Sequence, residues 1–402
     1  MPISEKRFTI KRRNLTLLRR CEIVQKILMS IRILHTADNH IGTSFAQYPE
    51  DVRERLLEER FTGLERIVAT ANTRKAHFLV VGGDLFDKQT VTKKMVERAA
   101  EILAKFDGEQ VLVLAGNHDF YEGDDNKLWK WFSDASEGTR IVPLLQAGTK
   151  RFACEDSEVY FYACPCPSKH GENHVIGWVA DEHKPEGAIH IGIAHGNVEG
   201  LGLDAEQRYF NMAEKDLRAA GVHTWLLGHI HVPSPLPGTT GRPLFFMPGI
   251  HTPDSVKCTH SGHAWWIELE ANGSCRHELL TTGAVRFVRV RRELHDTRST
   301  EALSAECAAL DAKNTILDLQ LRGRLKEEQM SDLRQWLAQL KAEFLHVSHD
   351  VDIAEVLDAV AIAAKFPEGT LPHALLHGLL ADEDYPGDAH LALDIIESLK
   401  RA

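Results

Sequence analysis

The stretch Ile31-Arg32-Ile33-Leu34-His35-Thr36-Ala37-Asp38-Asn39-His40 reads as a strand over 32–36 that stops abruptly in a cluster of polar side chains. The same succession recurs twice downstream. A helix over 52–73 leads to a strand over 77–81 that ends in Gly82-Gly83-Asp84, and a helix over 93–106 leads to a strand over 110–114 that ends in Gly116-Asn117-His118-Asp119. Strands alternating with helices indicate a layered α/β domain. Loops at the carboxyl ends of such strands are where α/β sheets place their sites.

A second series of strands follows over 159–164, 189–194, 225–227, 244–247 and 264–269, with fewer long helices between them. The expected architecture is a two-sheet sandwich with helices outside, the halves meeting where the polar clusters converge. After Gly283 the composition changes: 285–290, 316–321 and 345–347 read as strands, and 303–313 and 327–343 as helices, which makes a compact α+β unit. From Val351 the chain reads as helical, with Ile353, Val356, Leu357 and Val360 on one face, loops at 366–369 and 385–387, and a last helix over 389–400.

At 402 residues the chain exceeds the size at which one core keeps growing, so two domains and a small third element are expected. A hydrophobic share of 43% and a charged share of 26% exclude disordered, collagen-like and membrane classes. Apolar runs such as 111–115 are strand-sized, well short of the roughly 18 residues of a membrane span, so no membrane partner is expected. Seven cysteines, scattered from Cys21 to Cys307, form no spaced disulfide framework and point to a cytoplasmic protein. Cys164-Pro165-Cys166 lacks a second pair at zinc-finger spacing and reads as buried thiols.

The formal charge is -11, and the first thirty residues carry eight basic and two acidic side chains, which leaves the remainder at -17. Any polynucleotide therefore has to be held by local patches and by metals. The basic stretch is either a flexible arm or a mis-assigned start ahead of Met29.

Five clusters carry chemistry: Asp38-Asn39-His40, Gly83-Asp84, Gly116-Asn117-His118-Asp119, His195-Gly196 and Gly228-His229-Ile230-His231. Carboxylate, imidazole and amide oxygen together suit Mn, Fe or Zn and not a thiolate site. In extended backbone residues i and i+2 point the same way, so Asp38 with His40, and His229 with His231, each face one centre. One such cluster alone reads as a cap or a hydrogen-bonded surface group; five in order at strand ends read as a site. His35 alternates with Leu34 and Thr36 inside the first strand and reads as a packed histidine.

These clusters resemble the ordered D-x-H, G-D-x-x-D, G-N-H-D, H and G-H-x-H pattern of the calcineurin-like metallophosphoesterase superfamily. It is met here by Asp38 and His40, Gly83-Asp84-Leu85-Phe86-Asp87, Gly116-Asn117-His118-Asp119, His195, and Gly228-His229-Ile230-His231. Within it, residues 34–42 and 83–87 are similar to the SbcD family of DNA repair exonucleases. Leu321-Arg322-Gly323-Arg324-Leu325 resembles the strand end of that family's capping domain.

The resemblance implies a four-layer sandwich, two sheets flanked by helices, with a small α+β capping domain and a helical C-terminus. The expected division is a basic extension (1–30), a nuclease domain (31–283), a capping domain (284–350) and a helical segment (351–402). It further implies two divalent metal ions, Mn in first place, with Fe, Mg or Zn as alternatives. One would be held by Asp38, His40, Asp84 and His231 and the other by Asp84, Asn117, His195 and His229, with Asp84 bridging. His118 would stabilise the pentavalent phosphorus or protonate the leaving oxygen, and Asp119 would orient it. Asp87 stands where eukaryotic and archaeal relatives often have His, which leaves a second catalytic histidine open. The family has residues near the Pro248-Gly249 turn lining the site, so one of His251, His260 and His263 is a candidate for substrate contact.

The function expected is a Mn-dependent DNA exonuclease or endonuclease acting in repair. The alternative is a hydrolase of small phosphoesters or cyclic nucleotides, because the same centre serves both and fold does not choose substrates. A third reading, an inactive scaffold, is disfavoured by the complete ligand set, and the capping unit favours DNA. Basic residues available to phosphates include Lys88, Lys93 and Lys94, and Arg286, Arg289, Arg291, Arg292, Arg322 and Arg324 in the capping unit. The chain has no G-x-x-x-x-G-K loop, so an SbcC-like coiled-coil ATPase is expected as partner, docked on the apolar helices after Val351 unless these pack onto the capping unit. A second copy of the chain is a further expected partner.

Overall fold

The computed structural model describes residues 30–401 except 156, 173–174, 202–207, 237 and 383–386. The basic extension with Met29, and most of the loop expected at 385–387, lie outside the described residues. The chain divides into two compact units, Met1–Arg286 and Phe287–Ala402.

In the first unit, one sheet consists of β1 (Ser30–Thr36), β2 (Phe78–Val81), β3 (Gln110–Leu114), β4 (Ile141–Leu144), β10 (His263–Glu270) and β11 (Cys275–Thr281), in the order β11-β10-β1-β2-β3-β4. Strands β1 to β4 are parallel, and β10 runs antiparallel to both β1 and β11. The other sheet orders β5 (Gly148–Cys154), β6 (Ser157–Cys164), β7 (Ile189–His195), β8 (Thr224–Gly228) and β9 (Phe245–Phe246) in sequence, all parallel except the β5–β6 hairpin.

Alternation along the strands builds the layers, because successive side chains leave a strand on opposite faces. Ile33, Phe78, Val80, Leu112 and Leu114 face inward and meet Val159, Phe161, Ile191, Ile193 and Leu226 of the other sheet. The intervening Leu34, Leu79, Val81, Val111 and Val113 face outward and pack on the helices Glu50–Thr73, Lys93–Leu103 and Lys127–Ser136 through residues such as Leu64, Ile67, Val96, Leu103 and Phe132. On the far side Tyr162, Ala194, Trp225 and Leu227 pack on Ile176, Val179, Met212 and Leu217. Four layers result. Both faces of β2 and β3 are buried, which is why their sequences are continuously apolar. Local signals position the helices: Thr92 accepts from Met95 N at 3.3 Å and Asn126 from Trp129 N at 3.2 Å, each satisfying a free donor at a helix start.

In the second unit β12 (Arg286–Leu294), β13 (Thr315–Leu325) and β14 (His346–Glu355) form a sheet in that order. Val290, Leu294, Leu319, Leu321 and Val347 share a core with Leu303 of helix Thr297–Ala308 and Leu333, Leu337 and Leu340 of helix Glu327–Glu343. The helix expected over 303–313 starts earlier because Asp296 caps it, accepting from Ser299 N at 2.7 Å. Residues 351–355 are strand, not the helix expected: Val351, Asp352 and Ile353 continue the parallel ladder opposite Leu321, Arg322 and Gly323.

The helices that follow, Ala359–Lys365, Leu371–Leu380 and Asp388–Arg401, gather Leu357, Ile362, Phe366, Leu376 and Leu393 into a small core of their own. Several of the arginines expected to meet phosphates are paired within this unit: Arg289 with Asp318 at 2.5 Å, Arg292 with Glu306 at 2.7 Å and Arg322 with Asp350 at 2.6 Å. Among the described residues no helix is long and apolar enough to cross a membrane.

Candidate metal centre

The ends of β1, β2, β3, β7 and β8 place the five polar clusters together. Past β1 and β2 the backbones stay zipped, with Asp38 N donating to Gly83 O (3.1 Å), His40 N to Asp84 O (3.0 Å) and Ile41 N to Leu85 O (2.9 Å). The turns that aim the side chains are strained. Among the described residues eight non-glycine residues take a positive φ, and four of them are Asp38, His40, Asp84 and His229. Such backbone persists only where its surroundings over-determine it, and it gathers at functional sites. Gly83, at φ +99°, is required as well, since a Cβ there would lie 2.2 Å from His195 Nδ1.

Two groups of donors converge. In the first, His40 Nε2 and His231 Nε2 are 3.1 Å apart, His231 Nε2 lies 3.8 Å from Asp38 Oδ1, and His40 Nε2 lies 3.8 Å from Asp84 Oδ2. In the second, Asn117 Oδ1 is 3.0 Å from both His195 Nε2 and His229 Nδ1, and His195 Nε2 is 3.2 Å from Asp84 Oδ2. Asp84 Oδ2 belongs to both groups. Asp38, His40 and His231, and likewise Asp38, Asp84 and His195, and His40, Asp84 and His118, each bring donor atoms within 4.8 Å of one another.

The residues fit divalent cations. Two imidazole lone pairs facing each other repel, so a proton or a cation has to lie between His40 and His231. The set offers oxygen and imidazole nitrogen without thiolate, which suits Mn, Fe or Zn. Supporting bonds fix the rings: His195 Nδ1 meets Gly82 O at 2.9 Å, which leaves Nε2 for the centre. Asp38 accepts from His229 N at 3.0 Å. Asp38, Asp84, Asn117 and His195 are buried, whereas His118, His229 and His231 are partly exposed and mark the open side.

The electrostatics follow from burial and crowding. Burial pushes the Asp38 carboxyl up to about 6 against the pull of His195. It opposes ionisation of Asp84 as well, but the His195, His40 and His118 rings hold that carboxyl far below the usual carboxylate range. Burial alone would lower His195, yet Asp84 and then Asp38 push it up to about 9. Burial and the neighbouring His40 push His231 down to about 3, so this ring presents a lone pair.

Asp119 does not orient His118, contrary to the expectation. Its oxygens accept from Gly116 N at 2.7 Å and Phe86 N at 3.0 Å, which ties the third loop to the second. His118 Nδ1 meets the Asp87 carbonyl at 2.8 Å instead. The Asp87 carboxylate faces His40 Nδ1 at 3.4 Å. His35 is buried, with Nε2 3.0 Å from Leu227 O, and burial lowers it to about 4. Of the later histidines, His260 Nε2 reaches His231 O at 2.5 Å, while His251 is buried against Arg60 O at 2.9 Å. Cys164 and Cys166 are buried thiols, Cys164 pushed up to about 12 by burial.

Two residues at the centre escaped the sequence reading. Asp254 Oδ2 lies 3.7 Å from His231 Nδ1, three residues past His251 and without a motif to flag it. Arg60 is fully buried beside it. A signal for Arg60 was present: it falls between Leu56 and Leu64 at i+4 spacing, on the stripe of its helix that faces the core.

A profile of the family described as calcineurin-like phosphoesterase matches residues 31–233, which span all seven metal-directed side chains. A Bacillus subtilis protein named uncharacterized metallophosphoesterase YhaO is 24% identical over 69% of this chain and 66% of its own length. The DNA double-strand break repair protein Mre11 of Aeropyrum pernix is 24% identical over 50% of this chain and 49% of its own length. The chain thus spans between about half and two thirds of these relatives. The crystal structure of a dimetal phosphatase from Danio rerio, 12% identical, covers 63% of this chain and 100% of its own at a TM-score of 0.37.

Proposed function

We propose, for a chain that belongs to the calcineurin-like phosphoesterase family, that its metal centre hydrolyses DNA phosphodiesters, with an SbcC-like coiled-coil ATPase as partner. The observation that carries the hydrolytic part is the sharing of Asp84 Oδ2 between the two groups of donors, 3.8 Å from His40 Nε2 and 3.2 Å from His195 Nε2. Asp38, His40, Asp84 and His231 would hold one cation, and Asp84, Asn117, His195 and His229 the other. What a pair of divalent cations supplies there, when bound, is Lewis acidity toward the phosphoryl oxygens and a lowered pKa for the attacking water.

The chain's own residues do the rest. Asp84 Oδ1 accepts from His118 N at 2.8 Å, so the bridging carboxylate and the backbone of the proton-transfer residue move as one piece. With Nδ1 2.8 Å from the Asp87 carbonyl, His118 keeps Nε2 for proton transfer to the departing oxygen. His40 packs edge-on to His118 at 4.7 Å between ring centres and limits its swing.

DNA as substrate is supported by the relatives named for double-strand break repair. The partner is supported by the last helix, where Leu391, Ile395 and Leu399 fall at i, i+4, i+8 and are 61%, 51% and 71% exposed. The test compares Mn-dependent degradation of linear duplex DNA with turnover of bis(p-nitrophenyl) phosphate. DNA degradation supports the reading, and turnover of the small diester alone would replace it with the small-phosphoester alternative.

A further inference from the structure

The loop 251–262 is riveted at its base to the helix Glu50–Thr73 and to the segment that follows β11. His251 Nε2 meets Arg60 O at 2.9 Å, Arg60 Nη1 donates to Thr252 O at 3.0 Å, and Thr282 Oγ1 donates to His251 O at 2.5 Å. Thr282 N donates to Gly262 O at 2.9 Å and Gly283 N to Ser261 O at 3.1 Å. Glu59, buried in the same helix, accepts from Ala284 N at 2.8 Å and pairs with Arg66, which donates to Thr282 O at 2.7 Å. The helix comes so close that a Cβ at Gly63 would lie 2.6 Å from Thr252 Cγ2, which accounts for a glycine in mid-helix, where it is otherwise destabilising.

His260 directly precedes the riveted pair Ser261-Gly262, and both of its ring nitrogens are engaged. Nδ1 accepts from Gly262 N at 3.1 Å, so the ring hydrogen sits on Nε2, which donates to His231 O at 2.5 Å and lies 3.4 Å from Cys258 Sγ. The ring stacks on His263, with 4.9 Å between ring centres and 29° between planes. A ring fixed by its own loop thus grips the main chain of a metal-directed residue.

His231 has more need of that grip than the other donors. His195 is fully buried and has Nδ1 on Gly82 O. His229, on the same turn, has its N–H on Asp38, Nδ1 3.0 Å from Asn117 Oδ1, and its ring between those of His195 and Tyr209, at 5.4 and 5.1 Å between centres. The His231 side chain is 40% exposed, and its ring meets His40 Nε2 at 3.1 Å and Asp254 Oδ2 at 3.7 Å. Three residues on, Ser234 exchanges hydrogen bonds of 2.8 and 2.7 Å with Met247.

We propose that His260 is a positioning residue for a single metal position, the one at His40 and His231: through the His231 carbonyl it fixes the turn that aims this ring, with the riveted loop as its frame. The inference rests on the two-metal reading above. It gives His260 a task other than the substrate contact considered for it, and it separates the two positions, because His195 and His229 are anchored by other partners.

The test is calorimetric titration of EDTA-stripped protein with Mn2+. His260→Phe keeps a ring against His263 but removes the donor. It is expected to weaken one of two dissociation constants, the one that His231→Ala abolishes, by about 10-fold, the lower end of the usual cost of losing an outer partner, and to leave the other unchanged. His260→Gln, whose amide N–H reaches the same carbonyl, should recover most of the loss, which a role in packing alone would not predict. Equal weakening of both constants, weakening of the other one, no weakening, or the same loss in His260→Gln as in His260→Phe overturns the proposal. Should His260→Phe fail to fold, His260→Ala is read by the same criteria, and failure of both to fold makes His260 a residue of the folding core and overturns it equally. A wild-type chain that binds fewer than two Mn2+ would sink the two-metal reading instead.

Discussion

Stripping the protein with EDTA and raising the pH from 6.5 to 9 should destabilise the first unit, and the size of the effect comes from one ring. His195 is completely buried and is pushed up to about 9, above its ordinary 6.5, chiefly by Asp84. A histidine whose pKa is raised by folding contributes stability that is fully present below the unfolded value and is lost as pH rises through the folded one. The window is therefore pH 6.5 to 9. At about 1.4 kcal/mol per unit this amounts to roughly 3 kcal/mol, counted once because the depression of Asp84 is the same interaction. For a unit of this size roughly 2–4 °C accompany each kcal/mol, so the melting temperature should fall by about 6–12 °C.

Asp119, pushed up to about 7 by burial, stabilises the fold while protonated and loses that contribution as pH rises from the ordinary carboxylate range through about 7, so it adds little to the slope above that value. Circular dichroism melts at half-unit steps of pH provide the measurement. His195→Gln, which cannot take the proton, serves as the reference and should show no such slope. Saturating Mn2+ should remove the slope from the wild type, since a cation replaces the proton. A stripped wild type whose melting temperature is flat across the window, or whose slope survives in His195→Gln, would refute the reasoning.

Asp84→Ala should abolish hydrolysis of every substrate, because both donor groups lose their shared oxygen; full activity with Mn2+ present would remove the two-metal reading. His118→Leu should retain both metals by elemental analysis while turnover falls by about 10²- to 10⁴-fold, the usual cost of a lost general acid. Metal loss in parallel would make His118 a ligand, a role its nearness to His40 and Asp84 permits. A chain ending at Val356 keeps the whole of β14 and, on the proposed function, should remain folded with the metal-dependent activity of the full chain but lose binding to the proposed ATPase partner. Collapse of the truncated chain would place the C-terminal helices in the folding core.

Much of this was readable in the chain itself, for identifiable reasons. Strands β2 and β3 are buried on both faces, so their continuous apolar runs stand out, and β1, β2 and β3 each stop at a polar cluster that cannot be buried without a purpose. Strands β4, β5 and β11 went unread. Residues such as Lys150, Arg151 and Arg276 put charge on exposed positions of outer strands and blur the period of two. The stretch 351–355 was misread because Ile353, Val356 and Leu357 fit a helix face, while its pairing with Leu321 to Leu325, decided some thirty residues earlier, leaves no local trace. Asp119 was misassigned for a similar reason. Adjacency to His118 suggested a partner, but in a tight turn neighbouring side chains diverge, and the carbonyl of Asp87 was nearer. Arg60 and Asp254 are joined only by tertiary packing.

The donors come from both sheets of the first unit: Asp38, Asp84 and Asn117 from the ends of β1, β2 and β3, and His195 and His229 from β7 and β8. His195 Nδ1 to Gly82 O at 2.9 Å and His35 Nε2 to Leu227 O at 3.0 Å already stitch the same seam. A cation gripped from both sides is therefore a rivet as well as a reagent. Pulling it out with a chelator frees the loops and also unclamps one end of the sandwich, so amide exchange should quicken first along the carboxyl ends of β2 and β8 and leave their amino ends protected. The centre then behaves as a mechanical joint, and cells that starve the protein of metal would loosen its architecture at the place where the donor side chains converge.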